Sequence, residues 1–232
     1  MGSPHPLMSN IAIKWEFSVR EVFQQELANI QTGLIEVADG VVNAIRNATR
    51  AFQTSDVALA DEVISNDMKI DEAAAHIDDL TIEVLLLQSP VARDLRFVVS
   101  TMRISSSLER MGDLAAHIAQ LARMRFPVEV SPEPLREHFR EAGELCVAQA
   151  ERVRKLIETE DSQLLDEIIA SDDANDALHK EVLNGLSTVD ETVPAEQVVD
   201  ATLANRYFER FSDHAVAIAK RMRYLQEGAA AE

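Results

Sequence analysis

The chain holds a single cysteine, Cys146, so no disulfide can form within it. That usage fits a reducing compartment. Seven glycines and seven prolines in 232 residues are too few for an all-β sandwich, which needs a tight turn every few residues. Aromatics make up only 5%. Basic side chains are outnumbered 22 to 40, for a net charge of −18. So acidic a surface repels nucleic-acid backbones, which excludes nucleic acid as a partner, and anionic membranes except where cations or partners bridge them. Multivalent cations and basic protein surfaces remain as counterparts. No apolar run reaches the roughly 18 uncharged residues of a membrane-spanning helix. Met1–Asn10 carries two prolines and no signal-peptide core, and is set aside as a flexible lead or expression remnant. Gly-rich phosphate loops, G-x-S-x-G and H-E-x-x-H are all missing, as is any nucleophile with its base. The expectation is a cytoplasmic, non-enzymatic helical protein.

Apolar residues recur at spacings of three and four almost throughout. Ser89-Pro90 and Ser131-Pro132 read as helix starts, Ser at the N-cap and Pro at the first turn. Thr54-Ser55-Asp56 and Glu160-Asp161-Ser162 read as capped connections, and Pro194 opens the last helix. Six long helices follow, over about 12–53, 55–88, 90–126, 132–160, 162–189 and 194–227.

The chain repeats itself. Leu108–Ala115 matches Phe208–Ala215 at an offset of 100, and Ile64–Asp71 matches Ile169–Asp176 at an offset of 105. Two copies of a three-helix unit account for this: residues 11–126 and 127–232, joined at Phe126–Ser131. The fold expected is all-α, two pseudo-repeated antiparallel three-helix bundles. Heptads agree: Phe97, Ile104, Met111 and Ile118 share one seam with Thr101, Leu108, Ala115 and Ala122, and the last helix repeats the stripe. On the second helix, Val63, Ile70, Ile77 and Val84 pair with Ala73, Leu80 and Leu87. These stripes read as core.

Glu109/Asp113 and Glu209/Asp213 are acidic pairs four residues apart, as are Asp67/Asp71 and Asp172/Asp176. Like charges at that spacing cost a helix about 0.2–0.5 kcal/mol per pair. The register points Glu109 and Asp113 away from the core, and Glu109 has no cation at its i±3 and i±4 positions. One reading is a solvated acidic face; the other is a cation site. Carboxylates without cysteine and with little histidine suit hard cations such as Mg²⁺, Ca²⁺, Mn²⁺ or iron, and suit zinc less. No Glu-x-x-His occurs, which argues against a di-iron carboxylate bundle. His214, beside Asp213, reads as an ordinary hydrogen-bonding residue, and Cys146 as packing.

Gln88–Arg96 (Q-S-P-V-A-R-D-L-R), Leu108–Asp113 (L-E-R-M-G-D) and the upstream Ser65–Glu72 (S-N-D-M-K-I-D-E) together resemble the PhoU family of phosphate-transport regulators, over about Glu21 to Arg223. The resemblance implies two three-helix bundles related by a pseudo-twofold, with metal ions or clusters held on outer surfaces by E(D)xxxD motifs. Carried over, it makes Asp67, Asp71, Glu109, Asp113, Asp172, Asp176, Glu209 and Asp213 the candidate ligands, for divalent or trivalent ions among Mg, Mn, Fe, Ca and Zn. It implies a homodimeric regulator that restrains the phosphate-specific ABC transporter and phosphate-starvation signalling, with the transporter ATPase and a sensor histidine kinase as partners. The chain departs from the family at Leu114, where histidine is frequent, and at Ser212, where glycine is frequent. Arg93 and Arg96 open the third helix, where forked guanidinium groups hold either the corner or a partner. A metal-dependent hydrolase or oxidase, and a metal-free helical scaffold, are the competing functional readings.

Overall fold

A computed structural model describes residues 6–228 of the chain, with side chains from residue 21 onward. Among these residues the regular structure is helical: α1 (Pro6–Thr54), α2 (Val57–Gln88), α3 (Ala92–Arg125), α4 (Arg136–Thr159), α5 (Ser162–Ala170), α6 (Asp172–Ser187) and α7 (Ala195–Glu227). A single 3-10 turn, Glu133–Leu135, leads into α4. The helix expected over 162–189 is delivered as α5 and α6, which meet at Ser171. Ser171 keeps a right-handed backbone (φ −73°, ψ −11°). Its hydroxyl donates to the Ile168 carbonyl and accepts from Gln149 Nε2 of α4. Of the lead segment, residues 1–5 lie outside the described residues, whereas α1 starts at Pro6, ahead of the start expected near residue 12.

Two caps stand where the sequence puts them. The Asp56 carboxylate accepts from Leu59 N–H and that of Asp161 from Gln163 N–H, filling orphan donors of α2 and α5. Two others differ. Ser89 closes α2 in the left-handed region (φ 45°) instead of capping α3, which begins at Ala92. The following Pro90 bars a helical backbone at Ser89 and brings no N–H, so the chain needs further residues to turn. Likewise Pro132, not Ser131, precedes the 3-10 turn.

Helices α1, α2 and α3 pack on one another, as do α4, α5, α6 and α7. The two groups also meet broadly, α1 on α4 and α3 on α7, and one apolar core runs through both. Three of the eight phenylalanines gather where they join: Phe52 lies 5.5 Å from Phe139 and 5.8 Å, edge-on, from Phe208. Each such pair adds about 0.5–1.5 kcal/mol beyond its burial. The heptad stripes of α2, α3 and α7 are buried or nearly so. Leu87 is the exception at 66% exposure, because α2 leaves the core as it nears its corner with α3. No described helix is long and apolar enough to cross a membrane.

The repeat is visible in single bonds. Ser105 Oγ of α3 donates to the Ala74 carbonyl of α2 at 3.2 Å, and Asn205 Nδ2 of α7 donates to the His179 carbonyl of α6 at 3.1 Å. These are equivalent positions at both sequence offsets. At the far end Arg125 of α3 clasps the buried Asp200 and reaches Glu196 of α7.

Close approach of α1 and α4 depends on Gly143. A Cβ there would stand 2.2 Å from Cγ2 of the buried Thr49. Gly143→Ala is expected to lower stability by about 1–2 kcal/mol, overpacking outweighing the gain in helix propensity. The Thr49→Ala/Gly143→Ala double variant recovers most of the loss. Urea denaturation checks both, and additive effects of the two changes would contradict the contact.

Candidate metal centre

Helix α3 packs against α1, α2 and α7, so its flank turns towards α2 and away from open water. Glu109 and Asp113 lie on that flank with side chains only 27% exposed each. Their outward placement in the heptad reading is therefore revised: they line a groove. Asp67 and Asp71 face them from α2, Asp67 half-buried and Asp71 exposed. One oxygen from each of Asp67, Asp71 and Asp113 lies within 4.8 Å of the other two. Two oxygens bound to one calcium-sized ion, 2.3–2.6 Å from it, can stand at most about 5 Å apart, so these three carboxylates fit a shared ion.

The groove is short of compensation. Oδ1 of Asp67 is out of contact with water and accepts no hydrogen bond. The neighbouring Lys69 is turned to Asn66 Oδ1 at 2.8 Å. Among the described residues Arg110 is the one cation paired with these carboxylates: it donates to Asp113 at 2.7 Å and lies 3.6 Å from Glu109. Burial, then Asp71, Asp113 and Glu109, raise Asp67 to about 6. Burial also raises Asp71, with Asp113 adding and Arg110 opposing. Glu109 is raised chiefly by burial, against Arg110. Gly112 makes room here, since a Cβ on it would lie 3.3 Å from Asp67 Oδ1 and 3.1 Å from Ile70. The donor set, all oxygen, suits a hard cation.

The second set does not converge in the same way. Burial, Asp213 and Asp176 raise Asp172, which places them within each other's field. Asp176, however, pairs with Lys180 at 3.3 Å, and Glu209 is held by Arg206 on its own helix. Glu209 also borders a small crevice with Cys146, Asn175, His179, Asn205 and Ser212. Ser212 occupies the position of Gly112, and Asn175 that of Ile70. Among the described residues, Asp67, Asp71 and Asp113 form the one group of three close ligands.

Asp78 escaped the sequence reading. It lies seven residues beyond Asp71, on the same stripe of α2, and its charge reaches Glu109. Its Oδ1 is buried without a partner. Spacing alone would have marked it. Arg93 is 77% exposed at the α2–α3 corner, 3.7 Å from Glu160. Arg96 is half-buried, and its guanidinium lies 3.5 Å from where a Cβ would stand on Gly228, past the end of α7. A recess of about 540 Å³ between α1 and α2 is lined by none of the eight carboxylates. Burial pushes the Cys146 thiol up to about 12, and it donates to the Phe208 carbonyl, as a packing residue would.

Asp67 titrates at about 6 when folded against 3.8 as a free side chain, so the folded state takes up its proton more readily than the unfolded one. Its charged form therefore opposes folding above that pH, and the opposition fades as pH falls through it. In EDTA, stability should gain from Asp67 as pH drops from about 7 to about 5. Asp67→Asn flattens the profile and is the more stable protein at neutral pH. Parallel pH profiles for the two proteins in urea denaturation would contradict the burial described.

Comparison with known proteins agrees with the architecture. The PhoU domain family matches twice, over residues 34–122 and 139–222. The phosphate-specific transport system accessory protein PhoU homolog 2 of Mycobacterium tuberculosis is 33% identical over 211 residues, 91% of this chain and 99% of that protein. PhoU homolog 1 of Mycobacterium leprae is 33% identical, covering 90% and 95%. The crystal structure of PhoU from Pseudomonas aeruginosa superposes with a TM-score of 0.85 at 26% identity, covering 89% of this chain and 100% of that one. That of the phosphate transport system regulatory protein PhoU from Streptococcus pneumoniae shares the fold, with a TM-score of 0.82 at 22% identity, covering 90% and 99%. On sequence match and architecture together, the chain belongs to the PhoU family.

Proposed function

We propose that this protein is a non-enzymatic, metal-binding accessory regulator of phosphate transport. It restrains uptake by a phosphate-specific ABC transporter, and starvation signalling through a sensor histidine kinase, when phosphate is plentiful. The accessory role in phosphate transport comes from relatives named as phosphate-specific transport system accessory proteins, and the restraint of uptake and signalling from the family resemblance. The observation that carries the metal is the convergence of Asp67, Asp71 and Asp113 within 4.8 Å with too little positive charge beside them. Residues 11–126 and 127–232 are read as two copies of one three-helix unit, supported by the twofold family match and by the repeated α2–α3 and α6–α7 hydrogen bond.

A divalent or trivalent hard cation would supply positive charge in the groove, bound by Asp67, Asp71 and Asp113 with Glu109 beside them. Those residues lie on two helices, so holding one ion in common fastens α2 to α3 and relieves their mutual repulsion. Asp172, Asp176, Glu209 and Asp213 form the weaker counterpart, needing Glu209 to leave Arg206 first. Arg93 and Arg96 are assigned to partner docking at the α2–α3 corner. Arg93 supplies the exposed charge, and Arg96 steadies the corner against α7. Leu86, Leu87 and Val91, all more than 60% exposed there, give the corner the apolar area that docking needs. Location in the cytoplasm and homodimerisation belong to the same reading.

Calorimetric titration of Mn²⁺ into the metal-stripped protein tests the site. Asp67→Asn/Asp113→Asn is expected to bind at least about tenfold more weakly, having lost two charged ligands. In a host lacking its own PhoU proteins, the chain should lower phosphate uptake at high external phosphate, and the double variant should not. Equal Mn²⁺ affinity in the two proteins, or uptake indifferent to the chain, would refute the proposal.

A further inference from the structure

Helices α3 and α7 run antiparallel, and three contacts set their register. Arg96 meets the Gly228 end, His117 stacks on Tyr207 at 5.2 Å, and Arg125 binds Asp200. Each step back along α3 is matched by a step forward along α7. The same register sets Arg110 across from His214 and Arg103 across from Arg221. Arg96, Arg103, Arg110 and His117 are seven apart, so they share one face of α3. Arg210 lies one turn before His214, and the charges of Arg210, Asp213 and Arg110 all reach that imidazole.

This ridge is out of keeping with the rest of the surface. Among the described residues, Arg50, Arg96, Arg103, Arg210 and Arg221 have no acidic partner. All but Arg50 lie along the α3–α7 seam. Unpaired arginines crowding one seam of a chain with net charge −18 are the reverse of what random placement gives. Guanidinium forks present paired donors that match tetrahedral oxyanions. Screening confines the chain's general repulsion to within about 8 Å at physiological salt, so a local cationic seam can attract what the whole surface repels.

We propose that the α3–α7 seam is an oxyanion site for inorganic phosphate, with Arg110, Arg210 and His214 at its centre and Arg103 and Arg221 at its margins. The groups donate and the anion's oxygens accept. Choosing phosphate among tetrahedral anions rests on the phosphate-transport reading above. So does a second consequence: Arg110 is shared with the carboxylate groove, where it now serves Asp113 and Glu109. A cation held by those carboxylates frees its guanidinium for the anion, so Mg²⁺ tightens phosphate binding and phosphate tightens Mg²⁺ binding by the same factor.

Equilibrium dialysis of the full chain with labelled inorganic phosphate, without and with Mg²⁺, tests this, with Mg²⁺ binding measured on the same samples. Arg110→Gln/Arg210→Gln should bind phosphate at least about tenfold more weakly, from the loss of two charge-assisted donors. Arg46→Gln/Arg50→Gln, a matched charge change on α1, should bind as the parent does. Circular dichroism checks folding, and Arg110→Lys/Arg210→Lys, which keeps charge but loses the fork, should fall between. Sulfate should bind less tightly than phosphate. Loss in the seam variant alone supports the site even where Mg²⁺ does not bind. Mg²⁺ binding without phosphate binding overturns it and leaves the metal reading intact. Equal loss in both glutamine variants, or equal binding of sulfate, also overturns it.

Discussion

Repulsion among carboxylates that cannot all reach water is the constraint around which this molecule is arranged. Packing of α3 against three neighbours draws Glu109 and Asp113 off the open surface and towards Asp67 and Asp71 of α2. Isolated on one helix, each like-charged pair would cost a few tenths of a kcal/mol. Brought together across two helices and partly removed from water, Asp67, Asp71 and Glu109 have raised affinity for protons, and one arginine serves both α3 carboxylates. The apolar core holds this arrangement in place. A site stabilised by its surroundings and strained in its own charges is what a cation-binding surface requires.

The two halves share a plan and differ in chemistry. The same side chain-to-carbonyl bond ties α2 to α3 and α6 to α7. Yet Ile70 and Gly112, which pack closely beside Asp67 in the first half, are replaced by Asn175 and Ser212 in the second. Polar groups then enter the interior, and Asn175 Nδ2 and His179 Nδ1 remain buried without partners. Glu209 turns to Arg206 rather than to Asp172. One groove is thus ready to share an ion, while in the other two of the four acids, Asp176 and Glu209, are paired with cations on their own helices. The cationic α3–α7 seam separates the two.

Much of the fold was legible because amphipathic periodicity is dictated by the core itself. Ile104, Leu108, Met111 and Ile118 are wholly or almost wholly buried on α3, and Phe208, Phe211 and Ile218 on α7. Caps with a short acidic side chain, Asp56 and Asp161, were equally readable, since their role is local. The Ser-Pro starts misled because a proline constrains the residue before it as well as the turn after it. The break at Ser171 depends on its contact with Gln149 of another helix, which no local pattern contains. For the site, the i,i+4 spacing found the acids. It could not show that Glu109 and Asp113 face a groove, because heptad position records the nearest core and ignores a third helix. Nor could it show that Asp176 and Glu209 of the second set would be drawn to Lys180 and Arg206.

Where a cation binds is the decisive question. Anomalous diffraction from crystals of the full chain grown with Mn²⁺ measures that directly. A peak among the Asp67, Asp71 and Asp113 carboxylates, with α2 and α3 in their present register, is the result expected. Ordered manganese found only elsewhere, with that groove holding water, would contradict it.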